Sequence, residues 1–289
     1  MFDVIIIGKG PAGISASLYT VRAGLKTLVI GQDNSALKKA DRIENYFGFS
    51  EPVSGQYLLE QGIKQAQRLG VKFSDNEVIA IEKGEYFDIY TTDQNYSCKA
   101  VLLATGQKIV KVKIDRLAEF EGNGVSYCTT CDGFFYRGLK VGLVGYKDYV
   151  IHEALELEPL TKNITIYTNG NQLELTEKYK KLASHFSIND KLIKGIDGKE
   201  VIESICFQDG TQENIDGLFI AFDSASSIDF ARKLGVITSK NSVVVDEKQQ
   251  TNLKGLFAAG DCTGGIKQVS TAVGQGALAG KQMIAYIRE

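Results

Sequence analysis

The chain reads as an α/β protein made of two doubly wound, Rossmann-like domains, the first built from both chain ends. Three observations predict this. Strand–turn–helix–strand patterns begin twice, about 135 residues apart. Their strands are unbroken apolar runs, as expected of parallel strands covered on both faces. Beyond about residue 240, a strand, a tight turn and a small-residue helix read as a return to the first domain.

The elements follow in order. "FDVIII" (2–7) is a buried strand, and Gly8-Lys9-Gly10-Pro11-Ala12-Gly13 is the turn. The next helix carries Ile14, Leu18 and Val21 at helical spacing, with Gly24 as its stop. "KTLVIG" (26–31) is the following strand, and "VLLATGQ" (101–107) is another that ends in a small-residue turn. Residues 107–116 form a basic, extended connector. The second unit has "LKVGLVG" as a strand, a helical pattern over 147–160 that stops near Pro159, and the strand "NITIYT" (163–168). In the C-terminal return, "SVVVD" and "GLFAAGDC" are strands and 268–287 a helix. The expected division is 1–112 with 240–289 against 113–239.

Net charge is −2, so bulk charge makes no case for nucleic acid or a membrane surface. The N-terminal apolar run is short and lacks a basic leader, and no stretch approaches a membrane span of roughly 20 residues. A cytoplasmic protein is expected, where a structural disulfide would be unusual. Cys128 and Cys131 form a CxxC pair. The histidines, His152 and His185, lie far apart and no second CxxC exists, so zinc is not expected and no metal site is assigned. A redox pair is the favoured reading. Cys98, Cys206 and Cys262 are expected to pack as small apolar residues.

The first glycine turn follows a strand and opens a helix, the context a dinucleotide motif requires. Gly8 permits the turn, Gly10 lets backbone approach a pyrophosphate, and Gly13 lets helix and sheet pack closely. The usual acidic residue is missing after Ile30, where Gly31 and Gln32 follow. In the second unit, Gly145 aligns with Gly8, Lys147 with Gly10 and Val150 with Gly13. A side chain at the second position blocks a pyrophosphate, and valine at the third props helix from strand. The next strand's end, "YTNGNQLEL", offers neither a basic cluster for a 2′-phosphate nor an immediate acid for a 2′-hydroxyl.

With these features, "DVIIIGKGPAGISAS", "IENYFGF", "LLATG", "YCTTCDGFFYRG", "GLFAAGDC" and "KQVSTAVGQGALA" resemble the low-molecular-weight thioredoxin reductase family over nearly the whole chain. The resemblance implies a split FAD-binding domain, a central CxxC-bearing domain and a homodimer. It implies FAD contacts at Gly8, Gly10, Pro11, Ala12 and Gly13, at Asn45, at Ala104, Thr105 and Gly106, and at Gly260 and Asp261. Lys267 stands for the family's arginine, followed by Gln268 and Val269. "SALKKA" (35–40) replaces a glycine–glutamine stretch, and "AFDSASS" (221–227) a glycine-containing turn. The NADPH glycines and His-Arg-Arg cluster are gone. In this the chain is similar to the ferredoxin-dependent flavin thioredoxin reductases.

In the family pattern Cys131 lies nearest the flavin and forms the charge-transfer thiolate. Cys128 exchanges with the thioredoxin disulfide, and Asp132 is the acid–base partner. The implied partners are thioredoxin and ferredoxin. An acidic ferredoxin would need a basic landing patch, for which Lys108, Lys111, Lys113 and Arg116, or Lys38, Lys39 and Arg42, are candidates. Phe134, Phe135 and Tyr136 read first as core and second as thioredoxin contacts. Competing readings are an NADPH-dependent thioredoxin reductase, a two-flavin disulfide oxidoreductase and a non-catalytic redox-sensing flavoprotein.

Overall fold

The structure is a computed structural model that describes residues 1–32, 35–107 and 112–289. The chain divides into two compact units. One combines the N-terminal stretch with Ser226–Glu289; the other holds the intervening residues to Ala225. The return to the first unit therefore begins earlier than residue 240. Helix Ser227–Lys233 belongs there, with the Ser227 hydroxyl 2.7 Å from that of Thr105. Its seven residues are too few to show a helical pattern in sequence.

In the first unit, strands Lys72–Ser74, Thr27–Ile30, Phe2–Ile7, Asn95–Leu103 and Leu256–Ala258 run parallel. Ile7 pairs with both Ile30 and Leu103, and Leu103 with Ala258. The strands thus end in register, and the turns after them share one sheet edge. Ligands of doubly wound sheets sit at this carboxyl edge. The first half of Asn95–Leu103 also pairs antiparallel with Phe87–Thr91, which pairs with Val78–Lys83.

The C-terminal helix Val269–Arg288 ties the chain ends together. A Cβ on Gly276 would lie 2.1 Å from the Ala12 carbonyl oxygen, and one on Gly280 2.8 Å from that of Ala16. Glycine at this i, i+4 pair lets the helix meet helix Pro11–Arg22 backbone to backbone. The Ser15 hydroxyl adds a bond to the Val273 carbonyl at 2.8 Å.

The second unit carries a parallel sheet in the order Ser187–Asn189, Ile164–Tyr167, Val141–Val144, Gly217–Ile220, Val125–Ser126. An antiparallel sheet of Ile193–Gly198, Ile202–Phe207 and Gln212–Asn214 accompanies it. Tyr167, Ile205, Phe207 and Leu218 anchor its core. The expected strand "SVVVD" reduces to Ser242–Val243, because Val244 pairs only through its amide to Ile237 and Val245 onward leaves the ladder. Among the described residues, no helix is long and apolar enough to cross a membrane.

Candidate active site

The first glycine turn has the geometry its motif demands. Gly8 adopts φ +120°, and a Cβ there would lie 2.2 Å from the Ala104 carbonyl oxygen. A Cβ on Gly13 would lie 2.1 Å from the Gly8 carbonyl oxygen. Gly10 differs. Its backbone is extended, and the nearest atom to a Cβ would be Ser35 Oγ at 3.9 Å. The side left open beside Gly10 faces the start of helix Pro11–Arg22, which among the described residues no side chain caps. An open cradle at an uncapped helix N-terminus suits a pyrophosphate, so these residues fit a dinucleotide such as FAD.

The neighbouring turns build out the same edge. Gly106 sits at φ +71° after Ala104 and Thr105, and Thr105 is tethered by Ser227, whose amide donates to Thr105 Oγ1 at 3.0 Å. Gly260, at φ +83°, starts the turn Asp261–Thr263 and donates its amide to Gln275 Oε1 at 2.8 Å. A Cβ on Gly260 would approach that of Ala12 to 3.0 Å. Asn45 Nδ2 donates to Gln268 Oε1 at 3.0 Å, so two expected cofactor residues from distant segments meet. Lys267 and Gln268 are exposed just before Val269, the first residue of the C-terminal helix. A carboxylate also reaches the end of the second strand. Glu77, overlooked in sequence, accepts from Gln32 Nε2 at 3.3 Å. Cys262 is buried, and its thiol is pushed up to about 11 by desolvation, which leaves it an inert packing residue as expected. Burial raises Cys98 in the same way, to about 12.

The second unit repeats this turn with different side chains. Gly145 matches Gly8: a Cβ there would lie 2.4 Å from the Ala221 carbonyl oxygen. Lys147 stands extended before helix Asp148–Leu157 (φ −116°, ψ 179°), as Gly10 stands before its helix (φ −80°, ψ −180°). Val150 takes the place of Gly13, with its Cβ 2.6 Å from a Gly145 Cβ position. Asp223, two residues after Ala221, holds the left-handed position at φ +68° that Gly106 holds at φ +71° two residues after Ala104. Lys147 Nζ lies 2.5 Å from Asp223 Oδ1 and 3.8 Å from Glu174 Oε2. The Tyr146 hydroxyl donates to Asp223 Oδ1 at 3.4 Å, and its ring packs edge-on to Phe222. Burial, then the Asp223 charge, raises the Tyr146 phenol. Where a nucleotide phosphate would need bare backbone, this unit carries an ion pair of its own.

The dithiol lies on a one-turn helix, Thr129–Asp132, between Val125–Ser126 and the turn Gly133–Tyr136. Cys128 and Cys131 are joined as a disulfide. Cys128 is 5% exposed and Cys131 openly exposed, so the two sulfurs differ in access. The Cys131 amide donates to Cys128 Sγ at 3.2 Å, a contact that would favour a thiolate there. Ser126, which no motif flagged, organises the pair: its Oγ accepts from the Cys128 amide at 3.0 Å and donates to Asp132 Oδ2 at 2.6 Å. Tyr136 packs edge-on to Phe219, as the core reading expects. Phe134 and Phe135 depart from that reading and stand 66% and 74% exposed beside the cysteines.

The basic candidates differ in how they are engaged. Arg116 is engaged by Glu119 and Asp197, and Arg42 by Glu44. Lys39 and Lys113 are exposed, Lys38 is half-buried, and Lys108 and Lys111 lie outside the described residues.

The chain matches the family model for pyridine nucleotide-disulphide oxidoreductases over residues 2–276. It is 32% identical over 303 residues to a thioredoxin reductase of Listeria innocua, covering all of this chain and 95% of the relative. Among solved structures, the atypical thioredoxin reductase of Desulfovibrio vulgaris Hildenborough superposes with TM-score 0.95 at 40% identity, covering 100% of this chain and 98% of that one. A ferredoxin-flavin thioredoxin reductase of Clostridium acetobutylicum superposes with TM-score 0.70 at 29% identity, covering 98% and 97%. A dinucleotide cradle, a CxxC-Asp turn and full-length similarity agree, and the chain belongs to the low-molecular-weight thioredoxin reductase family of flavoprotein disulfide oxidoreductases.

Proposed function

We propose that the chain binds FAD in its first unit and reduces thioredoxin with electrons from reduced ferredoxin, not from NADPH. The observation that carries this reading is the second glycine turn, where Lys147 and Asp223 meet in the place a pyrophosphate would take. Loss of the glycines alone would weaken a nucleotide site; an ion pair across it makes the chain its own occupant. The similarity to the ferredoxin-flavin thioredoxin reductase of Clostridium acetobutylicum supports the choice of donor. A homodimer is part of the same proposal.

Gly8, Gly10 and Gly13 would hold the FAD pyrophosphate against the helix N-terminus, with Asn45, Thr105, Asp261 and Gln268 at the same edge. When bound, FAD supplies the two electrons that open the Cys128–Cys131 disulfide. The rest falls to the chain's own groups. Asp132, oriented by Ser126, holds the proton that one sulfur takes up as the disulfide opens. The Cys128 thiolate, favoured by the Cys131 amide, attacks the thioredoxin disulfide and forms a mixed disulfide. The Cys131 thiolate then attacks Cys128 Sγ. This restores the internal disulfide and releases thioredoxin as a dithiol. One of its protons comes from Asp132, which takes it back from Cys128 as that sulfur attacks, and the other from solvent. Because Cys128 is the buried sulfur, the turn must open for that attack.

The test is anaerobic flavin absorbance after addition of NADPH, NADH or reduced ferredoxin, with thioredoxin thiols as readout. Bleaching and thiol formation with ferredoxin alone is expected. Prompt bleaching by NADPH would overturn the choice of donor. Two flavins per chain would favour a two-flavin enzyme, and no thioredoxin turnover with any donor a redox sensor.

A further inference from the structure

Beneath the dithiol, helix Asp148–Leu157 presents His152, Glu153 and Glu156 to the two threonines between the cysteines. Glu153 is 1% exposed, and its Oε2 lies 2.6 Å from Thr129 Oγ1. Glu156 Oε2 lies 2.9 Å from the same Thr129 Oγ1 and 2.8 Å from Thr130 Oγ1. Its other oxygen is 3.2 Å from His152 Nε2. The ligating atoms of His152, Glu153 and Glu156 all fall within 4.8 Å of one another.

A threonine hydroxyl has one proton. A single proton split between two carboxylates would leave both contacts long, and these are 2.6 and 2.9 Å. If Thr129 Oγ1 bonds to both, one carboxyl must donate to it and therefore carries a proton. Glu156 also accepts from the Thr130 hydroxyl at 2.8 Å, which favours its negative charge. Glu153 is the more buried of the two, and burial beside a second carboxylate favours its neutral form.

We propose that Glu153 and Glu156 share one proton through the Thr129 hydroxyl, and that this carboxyl–hydroxyl–carboxylate bridge is the positioning element that holds the inter-cysteine turn. Thr129 opens the one-turn helix whose Cys131 amide points at Cys128 Sγ, so the bridge sets that donor's aim from below while Ser126 sets Asp132 from the strand side. Asp132 is on the turn itself, and Tyr179 faces Asp148, at the start of the same helix, from helix Glu177–Ala183. The inference rests on Cys128 and Cys131 being the working pair and is independent of the electron donor.

Infrared spectroscopy of the oxidised holoenzyme tests the proton directly. At neutral pH a protonated-carboxyl stretching band is expected, absent in Glu153→Gln. A second measurement tests positioning: the pH profile of thiol alkylation in the reduced holoenzyme. Thr129→Val should change the alkylation rate at neutral pH by roughly tenfold, the order expected for one lost hydrogen bond to a charged group. Thr129→Ser should restore the wild-type profile. The absence of any protonated-carboxyl band, or an unchanged band in Glu153→Gln, would overturn the shared proton. A wild-type alkylation profile in Thr129→Val with full flavin content would overturn the positioning role. Stoichiometric divalent metal at this cluster in the purified protein would also overturn it, since a cation would replace the proton. Should Thr129→Val fail to fold, the band in Glu153→Gln still decides.

Discussion

Lys147 Nζ and Asp223 Oδ1 stand 2.5 Å apart, joining the residue that replaces the second motif glycine to the residue that replaces a turn glycine. Each change alone would spoil a nucleotide site; together they compensate. The lysine side chain is 25% exposed and the aspartate 19%, so neither charge is fully hydrated. Lys147→Ala should therefore destabilise the protein by about 1–3 kcal/mol, as expected when one partner of a half-buried pair is removed. Asp223→Gly should cost less. It removes the partner but also relieves a non-glycine residue at φ +68°. Thermal midpoints at fixed flavin saturation check the order, and a greater loss for Asp223→Gly would contradict it.

The three glycines of the first turn should separate folding from cofactor binding. Gly13→Ala drives a Cβ to 2.1 Å from backbone and should destabilise the unit with or without flavin. Gly10→Ala has room within the protein, its nearest neighbour being 3.9 Å away, and its extended backbone suits alanine. The variant should keep the apoprotein's stability to within about 1 kcal/mol yet purify with little flavin. Flavin-to-protein absorbance ratio against apoprotein melting distinguishes the two.

Ser126→Ala removes the donor to Asp132 Oδ2 and the acceptor of the Cys128 amide in one step. Thioredoxin reduction should slow roughly tenfold while flavin content is unchanged, because positioning and not cofactor binding is lost. Stopped-flow reoxidation of the reduced enzyme by thioredoxin measures it. A wild-type rate would remove Ser126 from the site.

The cradle and the dithiol were legible because their demands are local. Gly8 and Gly13 must lack a Cβ, Gly10 must leave backbone bare, and each requirement shows in a single short motif. That Lys147 and Val150 stand where the first turn has glycines was legible for the same reason. That Asp223 would reach Lys147 was not, since it depends on two strands, Val141–Val144 and Gly217–Ile220, lying side by side. Ser126, Glu153 and Ser227 are single polar residues in ordinary strand or helix patterns, and only packing gives each its partner. The antiparallel sheet over 193–214 did carry a signal that passed unread. Asp209-Gly210 is a hairpin dipeptide, with Gly210 at φ +86° where its turn needs glycine.

Buried thiols and a buried phenol give the protein an alkaline limit. Desolvation raises Cys98 to about 12, Cys262 to about 11 and Tyr179 to about 12. In the unfolded chain thiols ionise near about 8.5 and phenols near about 10. A folded value above the unfolded one stabilises fully below the unfolded pKa and loses that stability as pH rises toward the folded value. Stability should hold to about pH 8.5 and then fall steadily toward pH 11–12. Cys98→Ala should flatten that fall in urea unfolding followed across pH, despite a lower plateau from the lost packing.

The ion pair that fills the second turn also changes what the unit depends on. A domain that binds a soluble nucleotide is stabilised in proportion to that nucleotide's free concentration, and it loosens when the pool is drained. With Lys147 and Asp223 built into the chain, the CxxC-bearing unit carries its counterpart at a fixed, effectively saturating level. Under the ferredoxin-dependent reading proposed above, its resistance to unfolding and proteolysis should not follow swings in the pyridine-nucleotide supply.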